Sequence, residues 1–117
     1  MNREVLSSEL IDPNALSQIT SFHSNIVKEV QAAVSKDKIV VVGMRQNPVV
    51  KSAKKALTEA GMTFTYLEYG SYFSQWKQRL AIKLWSGWPT YPQVFVNGKL
   101  IGGRDETVKA LAKGMIK

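Results

Sequence analysis

Apolar residues recur at helical spacing in two stretches of the N-terminal half, and each stretch precedes a run typical of a strand. An Asp-Pro pair resembles an N-cap followed by a first helical residue, and it introduces a pattern that predicts one helix over 13–34. The β-branched run 38–42 predicts a buried strand. A second helix is expected over 48–60, and the alternating segment 63–67 predicts a second strand. We therefore expect a right-handed βαβ unit with two parallel strands.

The C-terminal half continues with a helix, a hairpin and a last helix. Apolar positions over 71–85 predict the helix, and an Asn-Gly pair between segments 93–96 and 99–101 predicts a type I′ hairpin. Asp105 is the expected cap of the final helix. The summed order α-β-α-β-α-β-β-α predicts an α/β protein with one mixed four-stranded sheet flanked by helices.

Length and composition narrow the possibilities. The chain has 117 residues, 44% apolar and 21% charged, which suits one folded domain. We expect a lead-in over 1–12 and a single domain over 13–117. No apolar run is long enough for a transmembrane helix and no secretory signal is evident, so we expect a cytoplasmic protein without a membrane partner.

The absence of cysteine removes whole classes of chemistry. With no cysteine, disulfides, thiolate nucleophiles, iron–sulfur ligation and zinc–thiolate sites are excluded. His23 is the single histidine, so an imidazole-rich metal site or a histidine-based triad has no second member. We expect no metal site, and we expect His23 to be a surface or half-packed residue.

The positive charge lies in the larger, C-terminal part of the chain. The net charge is +7. Residues 1–37 carry three basic and five acidic side chains, whereas residues 38–117 carry thirteen basic and four acidic side chains. Such a surface attracts anions, including nucleic acids, acidic proteins and carboxylate ligands. No nucleic-acid-binding motif accompanies the charge, so we do not expect specific nucleic-acid recognition.

The segment 85–105 carries the most specific motif of the chain. It reads W-S-G-W-P-T-Y-P-Q-V-F-V-N-G-K-L-I-G-G-R-D. This combination of W-P-T-x-P-Q, a hairpin and G-G-x-D resembles the glutaredoxin family, and most closely its monothiol branch. The similarity extends over about residues 38–113 and implies the thioredoxin fold in its glutaredoxin form.

The resemblance also implies a ligand groove. Pro92 would follow a cis peptide bond, which would leave the backbone of Tyr91 free to pair with an extended peptide such as glutathione. Arg79 falls where monothiol members bind the glycyl carboxylate of glutathione, and a bidentate guanidinium suits a carboxylate. The start of the helix at Asp105 would offer backbone N–H groups to a second carboxylate. The candidate ligand-binding residues are Arg45, Asn47, Arg79, Tyr91, Pro92, Gly103, Arg104 and Asp105.

The chain departs from the family at the catalytic position. Aligned on the C-P-Y-C or C-G-F-S motif, Asn47 stands in place of the nucleophilic cysteine and Val50 in place of the second cysteine. The whole motif has changed, which favours natural loss over an engineered single substitution. Thiol–disulfide exchange requires a thiolate, so we expect no catalytic residue and no oxidoreductase activity of this type.

Three functions remain open from the sequence. The leading hypothesis is a redox-inactive glutaredoxin-like module that binds glutathione, a similar peptide or a partner protein beside the cis-proline; glutathione is the one cofactor it suggests. The first alternative is a glutathione-dependent enzyme of the transferase type, which needs no protein thiol. The second alternative is a basic nucleic-acid-binding protein.

Overall fold

A central sheet with helices on both faces forms the protein, and the computed structural model describes residues 8–116. The predicted lead-in therefore lies mostly outside the described residues; its end, Ser8–Leu10, forms one 3-10 turn. The helices are α1 (Pro13–Ser21), α2 (Ser24–Lys36), α3 (Pro48–Glu59), α4 (Trp76–Ser86) and α5 (Arg104–Ala112), and the strands are β1 (Ile39–Gly43), β2 (Thr65–Glu68), β3 (Gln93–Val96) and β4 (Lys99–Gly102).

The sheet has the mixed topology predicted from the sequence. Its strand order is β2-β1-β3-β4. β1 runs parallel to β2 and antiparallel to β3, so that Val41 pairs with Tyr66 on one side and with Val94 on the other. β3 and β4 form the expected antiparallel hairpin, with positive φ at both turn residues, Asn97 and Gly98. The α/β fold class is thus confirmed.

Strand β1 is the centre of two apolar layers. All five of its residues are buried, because helices cover both faces of the sheet. Val40 and Val42 face the cluster that includes residues of α2 and α4, whereas Ile39 and Val41 pack with Leu57 of α3 on the opposite face. The carboxyl end of β1 thereby leads directly into the start of α3, where the candidate site lies.

The prediction of a single helix over 13–34 is wrong, because this segment forms two helices. α1 and α2 are separated at His23, which has φ 44° and ψ 44° and therefore lies in the left-handed region. A residue in that region cannot continue a right-handed helix. The apolar spacing continues on both sides of the break, so periodicity alone did not reveal it. His23 is half-buried and contacts the Phe22 ring edge to face at 4.8 Å between centroids.

Two other helix starts and one strand differ from the prediction. The helix expected from Ser71 begins at Trp76, since the segment before it is held in a turn by a hydrogen bond from the Ser71 N–H to the Ser74 hydroxyl (3.1 Å). The N-cap of α5 is Gly103 rather than Asp105, which lies within the first turn. The second strand covers Thr65–Glu68 instead of 63–67.

Candidate functional site

A groove of about 350 Å³ lies where the loop before β3, the start of α3 and the start of α5 meet. The Tyr91–Pro92 peptide bond in its wall is cis, as the resemblance implied. The groove brings together five of the eight predicted ligand-binding residues. Its lining consists of Val49, Trp88, Thr90, Tyr91, Pro92, Gly103, Arg104, Asp105 and Glu106.

The start of α5 forms one side of this groove. The Gly103 N–H donates to Glu106 Oε1 at 2.9 Å, which satisfies a backbone donor that the helix leaves free. A Cβ at Gly103 would lie 3.3 Å from the carbonyl oxygen of Pro92, so glycine permits the close approach of α5 to the cis-proline loop. Arg104 Nη2 lies 2.8 Å from Asp105 Oδ1, and both side chains are exposed. The groove therefore presents a cation and an anion side by side.

Asn47, which the resemblance aligns with the family nucleophile, caps α3. Its side-chain Oδ1 accepts hydrogen bonds from the N–H groups of Val49 (2.9 Å) and Val50 (3.0 Å). The asparagine does not itself line the groove, whereas Val49, two residues later, does. The amide oxygen thus saturates backbone donors that would otherwise face solvent or a ligand.

Arg79 is almost completely buried, with 8% of its surface exposed. Its Nη1 donates to the carbonyl oxygens of Tyr69 and Ser74, and its own carbonyl accepts the Tyr91 hydroxyl. These bonds tie the segment before α4 to the cis-proline loop. Arg79 is not among the residues that line the groove. Its predicted contact with a ligand carboxylate stays a prediction.

Arg45 also lies outside the groove lining. Its guanidinium Nε is 3.8 Å from Glu68 Oε2, and 65% of its side-chain surface is exposed. Its backbone N–H donates to the carbonyl oxygen of Gly70 at 2.7 Å. The side chain is therefore free to reorient at low cost, because an exposed ion pair of this kind contributes little free energy.

Four lining residues were absent from the predicted set. Val49 carries no chemical signal in the sequence, whereas Thr90 belongs to the W-P-T motif. Glu106 could have been found, since a glutamate three residues after an N-cap is typical of a capping box. Trp88 belongs to the W-P-T motif, and its Nε1 is buried without a hydrogen-bond partner among the described residues.

Tyr91 contributes a buried phenol beneath the groove. Burial raises its pKa above the usual range, and the nearby Arg79 guanidinium opposes this only in part. Because the phenol donates a hydrogen bond to the Arg79 carbonyl, it stays protonated at neutral pH. Tyr91 is consequently not a tyrosinate nucleophile, and it serves the groove through its backbone and its packing.

A second cleft of about 370 Å³ lies between α2 and α4, and its walls are mainly apolar. Phe22, Val27, Leu84 and Trp85 contribute to it, whereas no predicted ligand-binding residue does. Within residues 8–116, no three side chains of the metal-ligating types form a group suited to a metal ion. None of the helices in that part of the chain is both long and apolar enough to cross a bilayer.

The family profile for glutaredoxin matches residues 39–101, which is more than half of the chain. This chain belongs to the glutaredoxin family. A glutaredoxin-like protein of Dictyostelium discoideum is 49% identical over 115 residues, which cover 98% of this chain and 92% of that protein. Glutaredoxin of Vernicia fordii is 33% identical over 86 residues, covering 74% and 83%.

Solved glutaredoxin structures share the fold. Oxidised glutaredoxin 2 from Chlamydomonas reinhardtii is similar with a TM-score of 0.68 at 29% identity, covering 80% of this chain and 88% of that one. A buckwheat glutaredoxin–glutathione complex is similar with a TM-score of 0.67 at 23% identity, covering 84% and 86%. The thioredoxin-like architecture and the glutaredoxin resemblance of segment 85–105 are thereby confirmed, in a family member without cysteine.

Proposed function

We propose that this glutaredoxin-family protein is a redox-inactive binding module, and that its groove holds glutathione or a similar γ-glutamyl peptide. The observation that carries this proposal is the convergence of the cis Tyr91–Pro92 bond and the charged pair at the start of α5 on one groove. A zwitterionic peptide of two or three residues has the charges that such a groove complements.

The charges of the groove suggest how the ligand is oriented. Glutathione carries two carboxylates and one ammonium group at neutral pH. Arg104 is suited to a carboxylate and Asp105 to the ammonium group, at the price of their mutual contact. The extended ligand backbone would then run past Tyr91. The buckwheat complex has the same fold and contains glutathione, which makes this ligand the first to test.

Loss of the thiol removes oxidoreductase chemistry from the proposal. Disulfide exchange proceeds through a thiolate and a mixed disulfide. The chain contains no cysteine, and the side chain at the nucleophile position is engaged in capping α3. Binding without turnover is therefore the proposed activity, and the transferase and nucleic-acid alternatives have no specific geometric support.

The proposal is tested by titrating ¹⁵N-labelled protein with reduced glutathione and following backbone amide shifts. We expect saturable shifts that cluster at Tyr91, Gly103 and Asp105. The variant Arg104→Ala should weaken binding about three-fold, because it removes one exposed carboxylate partner. Lys109→Ala removes another exposed cation from the same helix but outside the groove lining, and it should leave the affinity unchanged.

Two results would contradict the proposal. One is the absence of saturable shifts at millimolar glutathione. The other is equal weakening by Arg104→Ala and Lys109→Ala, which would indicate attraction by net charge alone rather than a defined groove. In either case the search would move to a protein partner for the basic surface.

A further inference from the structure

An exposed apolar surface, the α4 face, runs along α4 and the turn before it. Six of the ten large apolar side chains that are exposed within residues 8–116 belong to it, namely Tyr72, Phe73, Trp76, Leu80, Leu84 and Trp85. Trp76, Leu80 and Leu84 are spaced four residues apart and therefore follow one side of the helix. Single exposed apolar residues are ordinary, whereas a contiguous group of them marks an interaction surface.

The apolar cleft between α2 and α4 continues the α4 face. Leu84 and Trp85 belong to both, and Phe22 and Val27 close the cleft on the side of α2. Its volume of about 370 Å³ leaves room for large side chains of another molecule. A groove between two packed helices with apolar walls has the shape that accepts the apolar side of a third helix.

The turn before α4 holds Phe73 in solvent on a fixed backbone. The residue is 94% exposed, yet its N–H donates to the Ser71 hydroxyl at 3.3 Å, and the Ser71 N–H donates to the Ser74 hydroxyl at 3.1 Å. The buried Arg79 guanidinium binds the carbonyl oxygen of Ser74. A backbone fixed in this way loses little conformational freedom when a partner binds. The exposed ring is therefore a preformed contact.

The charges around the α4 face are almost all positive. Residues 69–104 contain five basic and no acidic side chains. Lys77 Nζ lies 5.7 Å from the centroid of the Trp76 ring, and Lys28 lines the cleft. The carboxylate of Glu29, on α2, already accepts a buried tyrosine hydroxyl. A docked molecule meets cations beside the apolar surface, so complementarity favours an acidic one.

We propose that the α4 face and the adjoining cleft form a docking site for an acidic amphipathic helix of a partner protein. Apolar side chains at spacings i, i+3 or i+4 and i+7 of that helix enter the cleft and lie along α4. Its flanking aspartates and glutamates pair with Lys28 and Lys77. This site is separate from the proposed glutathione function, since no residue lines both the cleft and the ligand groove.

Two other occupants suit these features less well. A second copy of the chain in a symmetric dimer would bring the lysines of one protomer opposite those of its partner, which costs free energy. A bilayer surface offers anionic groups and apolar chains, but it has no protruding side chains to fill a concave cleft. An acidic helix satisfies both the charge and the shape.

The test uses designed fluorescent peptides of about 18 residues, whose anisotropy is measured with the full-length protein. A set of acidic peptides places leucines at different helical spacings between glutamates. Each has one counterpart with lysine in place of every glutamate and another with the same composition in scrambled order. The best acidic peptide should bind saturably and at least about ten-fold tighter than either counterpart.

Variants locate the binding on the α4 face. Trp76→Ser and Leu84→Ser should each weaken the acidic peptide about ten-fold, and Lys77→Glu should weaken it while strengthening the lysine counterpart. Met115→Ser and Lys109→Glu are the matched controls, because both residues are exposed but belong to the C-terminal segment, which packs with α3 on the opposite side of the sheet. They should change the affinity by less than about two-fold. Thermal unfolding verifies that each variant is folded.

Several results would overturn the proposal. The first is that no acidic peptide binds saturably below about 1 mM, and the second is equal binding of the acidic, lysine and scrambled peptides. Equal weakening by the variants and their controls would also exclude this site. A dimer that Trp76→Ser dissociates would assign the face to a second copy. Cosedimentation with phosphatidylcholine–phosphatidylserine vesicles that Trp76→Ser abolishes, without peptide binding, would assign it to a membrane surface.

Discussion

The buried guanidinium of Arg79 provides the sharpest test of the structure. Replacing it by methionine keeps most of the side-chain length but removes the donor that bonds to the carbonyl oxygens of Tyr69 and Ser74. These carbonyls would lose a charged partner that belongs to a residue only 8% exposed. The segment before α4 would then be joined to the helix by fewer contacts.

The size of the effect follows from the bonds lost. A hydrogen bond from a charged group contributes about 1.5–3 kcal/mol. Two such bonds share one nitrogen, and the variant also avoids the cost of desolvating a cation, so the values do not simply add. We expect Arg79→Met to lower the free energy of unfolding by about 3 kcal/mol, a large part of the 5–15 kcal/mol typical of a domain.

Urea unfolding followed by tryptophan fluorescence measures this change. With a slope of about 1.5 kcal/mol per molar for a small domain, the midpoint should fall by about 2 M. The unfolding midpoint of Arg79→Lys should lie between those of the wild type and Arg79→Met, because an ammonium group is a compact donor without the planar shape of the guanidinium. Lys77→Met, an exposed cation of the same helix, should change stability by less than about 0.5 kcal/mol. A loss in Arg79→Met no larger than that would refute the structural role assigned to Arg79.

Two further predictions concern side chains whose ionisation the structure controls. Asn47→Cys would place a thiol at the start of α3, so the pKa of this thiol should lie about 1 unit or more below the 8.5 of free cysteine. The pH dependence of its alkylation rate measures that pKa. Ser35→Cys, in the last turn of α2, is the control, and equal pH profiles for the two variants would contradict the prediction. The Tyr69 hydroxyl donates a hydrogen bond to Glu29. Burial raises the pKa of this phenol most, and the bond to Glu29 raises it further. The stabilising contribution of the protonated phenol is therefore complete below about pH 10 and declines as the pH rises further. The stability difference between wild type and Tyr69→Phe should therefore narrow from pH 8 to pH 11 in urea unfolding, and a constant difference would count against the bond.

Much of the fold follows from local signals that are strong in this sequence. The β-branched residues of the run 38–42, which are Ile39 to Val42, are hydrophobic on both faces, as a central strand must be, and they lie in β1. The Asn97–Gly98 pair specifies a turn with two positive φ angles, which are 53° and 80°. These elements need only neighbouring residues to define them, so sequence patterns located them within one or two positions.

Features that depend on distant contacts could not be predicted from local sequence patterns. The left-handed conformation of His23 divides a continuous apolar pattern, and histidine does not mark such a break as glycine would. For Arg79, the resemblance identified the position but could not show that its guanidinium reaches two backbone carbonyls. Asparagine is a residue type that favours helix N-caps, but the bonds from Asn47 to the N–H groups of both Val49 and Val50 became visible only in the structure.

The asparagine in the turn between β3 and β4 and the asparagine that caps α3 differ in their susceptibility to deamidation. Asparagine deamidates when the backbone nitrogen of the next residue attacks its side-chain carbonyl to form a succinimide. Asn47 precedes Pro48, whose nitrogen carries no hydrogen, so this route is closed at the cap. Asn97 precedes Gly98, the least hindered neighbour, in a turn exposed to water. Ageing of stored protein should therefore add negative charge at the hairpin while leaving the start of α3 intact.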